Sequence, residues 1–296
     1  NEKILEIRFV QSQGAINGRH SGPAILFDIG FGGVSPFAAS ADQGSGVQII
    51  SPLHSRGDML VVADDNTEVT DWNSFIEWAR NSDEPLIIGY KSPKAVALLI
   101  FESALTEEGI EWSLQSNPES GSQILLFNAQ GQPNLNPALQ NATINGYISN
   151  NPSCALAEHS GIGKCVAELS DLPPGNFSNH PCCVIAATGT AIAEKQEEIA
   201  AALRLFAAAT DYINTYPVDA AEAAAEWIGN PVEVEVISMA TSGYDMHVSV
   251  DWLDNMNSIV GNIRSLGAFT GPLAVEDDEA NAAFLYDFSL MPDDLR

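Results

Sequence analysis

Basic residues are scarce in this sequence. Its 296 residues include 12 lysines and arginines against 39 aspartates and glutamates, which gives a formal net charge of −27. Binding the phosphate backbone of nucleic acid needs a basic surface, and so does docking on anionic lipid. The composition therefore excludes both as general functions and predicts an acidic, well-solvated surface.

Long apolar runs are also missing. No segment approaches the roughly 20 consecutive apolar residues that a membrane-spanning helix needs. No basic stretch followed by an apolar run stands at Asn1, where a secretory leader would begin. We therefore expect either a cytosolic chain or one whose leader was removed before Asn1.

Cysteines number only four, namely Cys154, Cys165, Cys182 and Cys183. They form no CxxC pair, and no histidine stands at zinc-finger spacing from them. Because adjacent residues of a strand point to opposite faces, Cys182 and Cys183 are not expected to hold one ion together. We expect no metal and no cofactor. Disulfides in an oxidising compartment and free buried thiols both stay open.

Enzyme signatures are absent as well. The GTGTA string at Gly189 differs from the GxSxG pattern of serine hydrolases. The chain contains no Walker A sequence and no GxGxxG after a strand. The sequence thus predicts a protein that is not an enzyme, with no catalytic residues.

What the sequence does contain is an alternation of strands and helices. About 45% of its residues are hydrophobic, enough for two cores in a chain of this length. Ile4–Val10, Met59–Ala63 and Pro85–Tyr90 read as strands. Ser92 suits a helix N-cap and Pro93 the first helical position, before an apolar helix. Strand, helix and strand in that order predict a parallel sheet covered by helices.

Several segments resemble one family in their order and spacing. They are FDIGFGGVSPF (27–37), SPLHSRGDMLVV (51–62), IIGYKSPKAVALLIFESALTEEGI (87–110), INGYISNNP (144–152) and DWLDNMNSIVGNIRSLG (251–267). Together they resemble the nitrate, sulfonate and taurine solute-binding proteins of ABC importers, a group that includes binders of thiamine precursors. The resemblance extends over nearly the whole chain from Glu6. An extra strand and helix that usually precede the segment matching Ile4–Val10 are not visible.

This resemblance implies a type II periplasmic-binding-protein-like α/β fold. Each of two lobes would have a mostly parallel sheet flanked by helices, with two hinge crossovers and ligand in the cleft between the lobes. Carried over, lobe one takes 1–84 and 186–296, and lobe two takes 85–185. The hinges then fall near Asp83–Leu86 and Val184–Ala187.

The resemblance also implies a function. The chain would be an extracytoplasmic, monomeric solute-binding protein of the periplasm or cell surface that delivers a sulfonate-, nitrate- or pyrimidine-like solute to an ABC permease with its ATPase. A sensor or surface protein that reuses the fold is the alternative. A more remote alternative is an enzyme similar to the thiamine-pyrimidine synthases, which use a histidine and a cysteine-rich string. Cys182, Cys183 and His54 resemble those residues only weakly.

Candidate ligand contacts follow from two predicted helix starts, since a helix N-terminus presents unpaired N–H groups and partial positive charge. One start follows Gly33, Val34, Ser35 and Pro36, and the other begins at Ser92. Each candidate also has an ordinary alternative: a surface arginine, a loop histidine, an N-cap, turn formation or core packing. The expected ligand-binding residues are Gly33, Ser35, Pro36, His54, Ser55, Arg56, Lys91, Ser92, Tyr147, Asn150, Asn179 and His180.

Overall fold

The computed structural model describes residues 6–8 and 27–296, so the predicted strand Ile4–Val10 lies mostly outside the described residues. Glu6–Arg8 carry no regular secondary structure. The rest is a mixed α/β fold, which confirms the predicted fold class. The chain divides into two compact units. Unit 1 contains the described residues up to Ser55 with His180–Tyr216 and Tyr244–Arg296, and unit 2 contains Arg56–Asn179 with Pro217–Gly243.

Strands and helices alternate through most of the chain. The strands are β1 Ile29–Gly33, β2 Val47–Arg56, β3 Asp58–Ala63, β4 Leu86–Tyr90, β5 Trp112–Leu114, β6 Ile124–Asn128, β7 Gly146–Asn150, β8 Gly163–Glu168, β9 Pro181–Thr188 and β10 Ser242–Tyr244. The helices are α1 Val34–Asp42, α2 Trp72–Asn81, α3 Val96–Glu107, α4 Leu135–Gln140, α5 Ser153–His159, α6 Gly189–Glu194, α7 Gln196–Thr215, α8 Pro217–Ile228, α9 Val232–Ala240, α10 Val250–Ser265 and α11 Asp278–Leu285.

The boundaries of the units differ from those expected for the lobes. The chain enters unit 2 at Arg56 rather than after residue 84, because β3 pairs with β7 and β8 of that unit. It also returns to unit 2 for α8 and α9. The expected hinge segments Asp83–Leu86 and Val184–Ala187 therefore lie within unit 2 and unit 1, respectively.

Unit 1 is built on the strands β1, β9 and β2, which are neighbours in this order in a four-stranded sheet. β9 runs antiparallel to both β1 and β2, which differs from the mostly parallel sheet expected here. The reason is the path of the chain. β1 and β2 run parallel to each other, joined by α1, and the chain inserts β9 between them when it returns from unit 2 in the opposite direction.

A buried aspartate attaches α1 to the C-terminal part of unit 1. Asp42 is 6% exposed, and its carboxylate accepts hydrogen bonds from the backbone N–H groups of Thr270 (2.8 Å), Gly271 (2.9 Å) and Leu273 (2.9 Å). Gly271 approaches so closely that a Cβ there would collide with the Asp42 carbonyl oxygen. Three charge-assisted bonds compensate the burial of this carboxylate.

Unit 2 is built on a six-stranded sheet in the order β5-β6-β4-β7-β3-β8. β5, β6, β4 and β7 run parallel, as the strand–helix–strand pattern predicts, and β3 runs antiparallel to both of its neighbours. The core cluster on β3 and β7 contains Met59, Val61, Leu135, Leu139, Ile144, Tyr147 and Cys154. Because β4 and β7 run parallel, Lys91 after β4 and Asn150 at the end of β7 lie at the same end of this sheet.

The predicted N-cap at Ser92 is wrong. α3 begins at Val96 with Ala95 as its N-cap, three residues later than expected. The Ala95 N–H donates to the Ser92 carbonyl (3.2 Å), so Pro93 and Lys94 form the middle of a turn rather than the first turn of the helix. Proline suits the second position of such a turn as well as it suits a helix start, and the sequence alone does not separate the two.

Candidate functional site

The N-terminus of α1 is the clearest binding feature of unit 1. Gly33 is its N-cap in an extended conformation, and no side chain caps the helix. The Ser35 side chain is 4% exposed, and its Oγ has no hydrogen-bond partner among the residues that the structure describes. Pro36 completes the first turn. Open N–H groups, helix polarity and a buried hydroxyl together suit an anionic or polar group.

Sheet register brings two predicted residues of unit 1 together. Gly33 on β1 pairs with Cys183 on β9, and Cys183 pairs in turn with His54 on β2. Gly33, Cys183 and His54 thus form one row across the sheet, next to the start of α1. The segment PLHSRG was expected to be a loop, but β2 continues through Ser55 to Arg56, so His54 is a strand residue.

The end of β2 turns sharply into unit 2. Arg56, the first residue of unit 2, has a φ of 60°, followed by Gly57 with a φ of 82°. Left-handed backbone is unusual for arginine and marks a tight turn. The Arg56 side chain at this turn is partly buried. His54 belongs to unit 1, where its ring centroid lies 5.9 Å from that of Tyr244. Tyr244 is a neighbour that sequence reasoning missed, because it is distant in the chain.

Unit 2 carries a tethered cation at one edge of its sheet. Lys91 follows β4 and Asn150 ends β7, two parallel neighbours whose carboxyl ends share an edge. The Lys91 Nζ donates to the Asn150 Oδ1. Gln132, which the sequence did not single out, donates from Nε2 to the Asn150 carbonyl (2.7 Å) and the Ser153 Oγ (2.9 Å). The ammonium group is therefore held in place by a polar network.

The other predicted residues are placed differently. Tyr147 is fully buried, and its hydroxyl donates to the Asn136 Oδ1 (2.7 Å), so it is a core residue and burial raises its pKa. His180 is fully buried immediately before β9, whereas Asn179 is exposed. Ser92 lies in the turn before α3. The structure thus favours core packing for Tyr147 and turn formation for Ser92.

Two adjacent cysteines contradict the strand argument made from the sequence. The Sγ atoms of Cys182 and Cys183 lie 3.9 Å apart, although neighbours on a regular strand point to opposite faces. The pairing shows why. His54 pairs with Cys183 and Ser55 pairs with Pro181, which leaves Cys182 as an extra residue in a β-bulge. A bulge redirects side chains. Among the described residues, no two cysteines are joined by a disulfide.

An acid in unit 2 has an unusual proton affinity. Glu102, on α3, is largely buried, and desolvation raises its pKa to about 7 from an ordinary 4.5. Burial also raises the pKa of nearby Tyr90, with a contribution from the charge of Glu102. Buried carboxyls resist ionisation because the charged form loses its hydration. Glu102 therefore changes charge near neutral pH.

The fold is similar to that of solved structures described as ligand-binding or periplasmic binding proteins. The ligand-binding component of an ABC-type import system from Staphylococcus aureus, with zinc bound, has a TM-score of 0.65 at 17% identity over 89% of this chain and 79% of that one. The alkanesulfonate-binding protein SsuA from Xanthomonas axonopodis pv. citri, bound to MOPS, gives 0.64 at 10% identity over 88% and 80%. The periplasmic nitrate-binding protein NrtA from Synechocystis PCC 6803 gives 0.64 at 12% identity over 88% and 71%.

The family of the chain is assigned from its sequence. The profile of the NMT1-like family matches residues 10–229, and the chain belongs to that family. No curated protein matches the chain. Among the described residues, none of the helices combines the length and apolar character needed to cross a membrane.

Proposed function

We propose that the chain is the solute-binding component of an ABC-type importer and that its solute is a small anionic or polar molecule. The observation that carries the proposal is the start of α1. There an uncapped helix N-terminus adjoins the buried Ser35 hydroxyl, which has no partner among the described residues. Such a group is costly to bury unless a bound molecule completes its hydrogen bonds.

The family and the fold support this choice. The similar structures include proteins described as binding alkanesulfonate and nitrate, both small anions with several acceptor oxygens. Acceptor oxygens match what α1 presents, which is N–H groups and a hydroxyl. In unit 2, Lys91 offers a positive charge held by Asn150. Binding requires no covalent step in this proposal, and the partner is a membrane permease with its ATPase, in an extracytoplasmic location.

The acidic surface sets a condition on the proposal. A net charge of −27 repels an anion at long range, and salt screens that repulsion beyond about 8 Å at physiological ionic strength. Short-range N–H and O–H donors are screened far less. We therefore expect the association rate for an anionic solute to rise with added salt, while the dissociation rate changes little.

The decisive experiment is thermal melting of metal-free protein with a panel of solutes. The panel contains an alkanesulfonate, nitrate, a pyrimidine and a small carboxylate. A solute at 100 times its Kd adds about 2.7 kcal/mol to the free energy of unfolding. If no member stabilises the protein at millimolar concentration, the proposed anionic or polar solute is ruled out.

Variants then locate the site. Ser35→Ala removes the unpartnered hydroxyl and should weaken binding about tenfold, the value of roughly one hydrogen bond to a charged group. Ser40→Ala is the matched control, because Ser40 is a buried serine (6% exposed) nearer the other end of the same helix. Lys91→Met tests the contribution of unit 2. Equal affinity of the Ser35→Ala and Ser40→Ala proteins would remove α1 from the site.

The sensor alternative makes a different genomic prediction. Genes for a permease and an ATPase beside this one support the importer role. A neighbouring or fused kinase gene would instead favour a sensor that reuses the same binding fold.

A further inference from the structure

One imidazole and two thiols meet where the central strand β2 ends and the central strand β9 begins. Each of His54, Cys182 and Cys183 offers one ligand atom, and these atoms all lie within 4.8 Å of one another. They come from β2 and β9, two paired strands of the same unit. The cluster is therefore positioned by sheet hydrogen bonding rather than by a loose loop.

The bulge at Cys182 is what makes the cluster possible. On a regular strand one thiol would enter the core while the other faced away. With Cys182 as the extra residue between the pairs His54–Cys183 and Ser55–Pro181, both thiols turn toward the imidazole. Bulges of this kind often re-aim side chains at functional sites.

The spacing matches a shared ion. Two thiolates at about 2.3 Å from one tetrahedral zinc ion lie about 3.8 Å apart, and the two Sγ atoms here are 3.9 Å apart. A disulfide needs about 2.05 Å between the sulfurs. The geometry thus resembles two ligands of one ion more closely than it resembles a bonded pair.

The donor set selects the type of ion. Two thiolates and an imidazole suit zinc and other thiophilic ions, whereas magnesium and calcium prefer oxygen ligands. We propose that His54, Cys182 and Cys183 bind one Zn²⁺ ion per chain through one nitrogen and two sulfur atoms. The fourth tetrahedral position is left to water or to another exogenous ligand.

The surroundings favour a cation. The net charge of −27 attracts cations and raises their concentration near the surface. Cys182 is buried, while His54 and Cys183 are only partly buried, so an ion can reach the cluster without opening the core. The Tyr244 ring lies beside the His54 ring, with 5.9 Å between the two centroids. The proposal does not rest on the proposed transport function.

The test uses the full chain, reduced and freed of metal by a chelator that is then removed. Titration with Co²⁺ should produce a sulfur-to-cobalt charge-transfer band that saturates at one ion per chain. Added Zn²⁺ should abolish the band, because zinc binds such sites more tightly than cobalt. Zinc binding should also release protons, since the thiols must ionise to become ligands.

Variants assign the ligands. Cys183→Ser and His54→Gln should each weaken Zn²⁺ binding by at least about tenfold and reduce the charge-transfer intensity, most strongly for the cysteine. Cys165→Ser is the matched control, because it removes a partly buried cysteine of unit 2. It should leave both the intensity and the affinity unchanged. Circular dichroism of the metal-free variants verifies folding. Cys182 is buried, so Cys182→Ser can fail to fold, and in that case the result for Cys183→Ser decides whether the thiols are ligands.

Three results would overturn the proposal. They are a charge-transfer band that never saturates at one equivalent, a band that persists in Cys183→Ser, and loss of the band in Cys165→Ser. Equal thermal stabilisation by Mg²⁺ and Zn²⁺ would also contradict it, since that result indicates binding to surface carboxylates. Stabilisation by anions in the absence of metal tests the transport proposal separately, so the two can fail independently.

Discussion

The two units use cysteine in opposite ways. In unit 2, Cys154 is fully buried and its thiol donates to the Ser149 carbonyl (3.3 Å). Burial raises the pKa of Cys154 and of Cys165, so these thiols stay protonated and act as small apolar groups. In unit 1, Cys182 and Cys183 lie beside His54 on a bulged strand. The difference shows that the local strand geometry decides whether a cysteine packs as an apolar group or lies beside a second thiol and an imidazole.

The units also differ in how their elements are joined. Unit 2 depends on a continuous sheet with parallel neighbours, whereas unit 1 has antiparallel pairing and a charged side chain that bonds three backbone groups. We expect buried polar contacts to contribute more to the free energy of unfolding of each unit than exposed ones do. Substitutions in the two units can therefore rank these contacts.

The largest effect is expected at Asp42 of unit 1. Asp42→Ala leaves three backbone N–H groups near Thr270 without their acceptor and should lower the free energy of unfolding by about 3–5 kcal/mol. Urea unfolding measures the loss. Asp28→Ala is the control, since Asp28 forms an exposed pair with Lys195 (2.7 Å) and should change stability by less than about 1 kcal/mol. Similar losses of unfolding free energy in both variants would show that the hydrogen bonds of Asp42 do not stabilise the attachment of α1.

The next effect concerns Glu102 of unit 2 and depends on pH. Its folded-state pKa of about 7 exceeds the ordinary 4.5, so the folded chain holds this proton more tightly than the unfolded chain. The contribution of Glu102 to stability is therefore lost as pH rises from about 4.5 to about 7, by up to about 3 kcal/mol.

Glu102→Gln should remove that pH dependence. We expect the variant and the parent to unfold alike near pH 4.5 and the variant to be about 3 kcal/mol more stable at pH 8. Urea unfolding at both pH values measures the difference. Glu107→Gln, an exposed position on the same helix, is the control. Parallel profiles of Glu102→Gln and the parent would refute the raised pKa.

A smaller effect separates the core role of Tyr147 from a ligand role. Tyr147→Phe removes the hydroxyl that bonds Asn136, and should cost about 1–2 kcal/mol because a buried acceptor loses its donor. Solute affinity should stay the same, because the ring is fully buried. Weaker solute binding with unchanged stability would restore Tyr147 to the site.

The smallest effects compare one serine from each unit. Ser249 caps α10 of unit 1, and its Oγ accepts from the Trp252 N–H (3.1 Å), so Ser249→Ala should cost about 1 kcal/mol. Ser92 of unit 2 is the first residue of the turn that precedes α3 and is not the N-cap, so Ser92→Ala should stay within about 0.5 kcal/mol of the parent. Thermal melting measures both. A cost at Ser92 as large as that at Ser249 would support a capping role for Ser92 after all.

Features set by neighbouring residues were predicted well. The predicted strands Met59–Ala63 and Pro85–Tyr90 are present as β3 Asp58–Ala63 and β4 Leu86–Tyr90. Each of these depends on a few adjacent side chains and backbone groups, which the sequence displays directly.

Features set by distant residues were not predicted. The antiparallel direction of β9, the unit boundaries, the Gln132–Asn150 contact and the meeting of Cys182 with Cys183 all depend on which strands pair and in which register. A shift of one residue in register changes the face to which a side chain points. No local pattern reports that shift.

By itself the sequence determined the acidic surface, the α/β alternation and the strands β3 and β4, because composition and local backbone preference act within a few residues. Tertiary structure alone decided that Gly33, Cys183 and His54 lie in one row and that a bulge turns Cys182 toward them. The physical reason is that strand pairing joins segments more than a hundred residues apart, and the packing of the whole sheet selects its register.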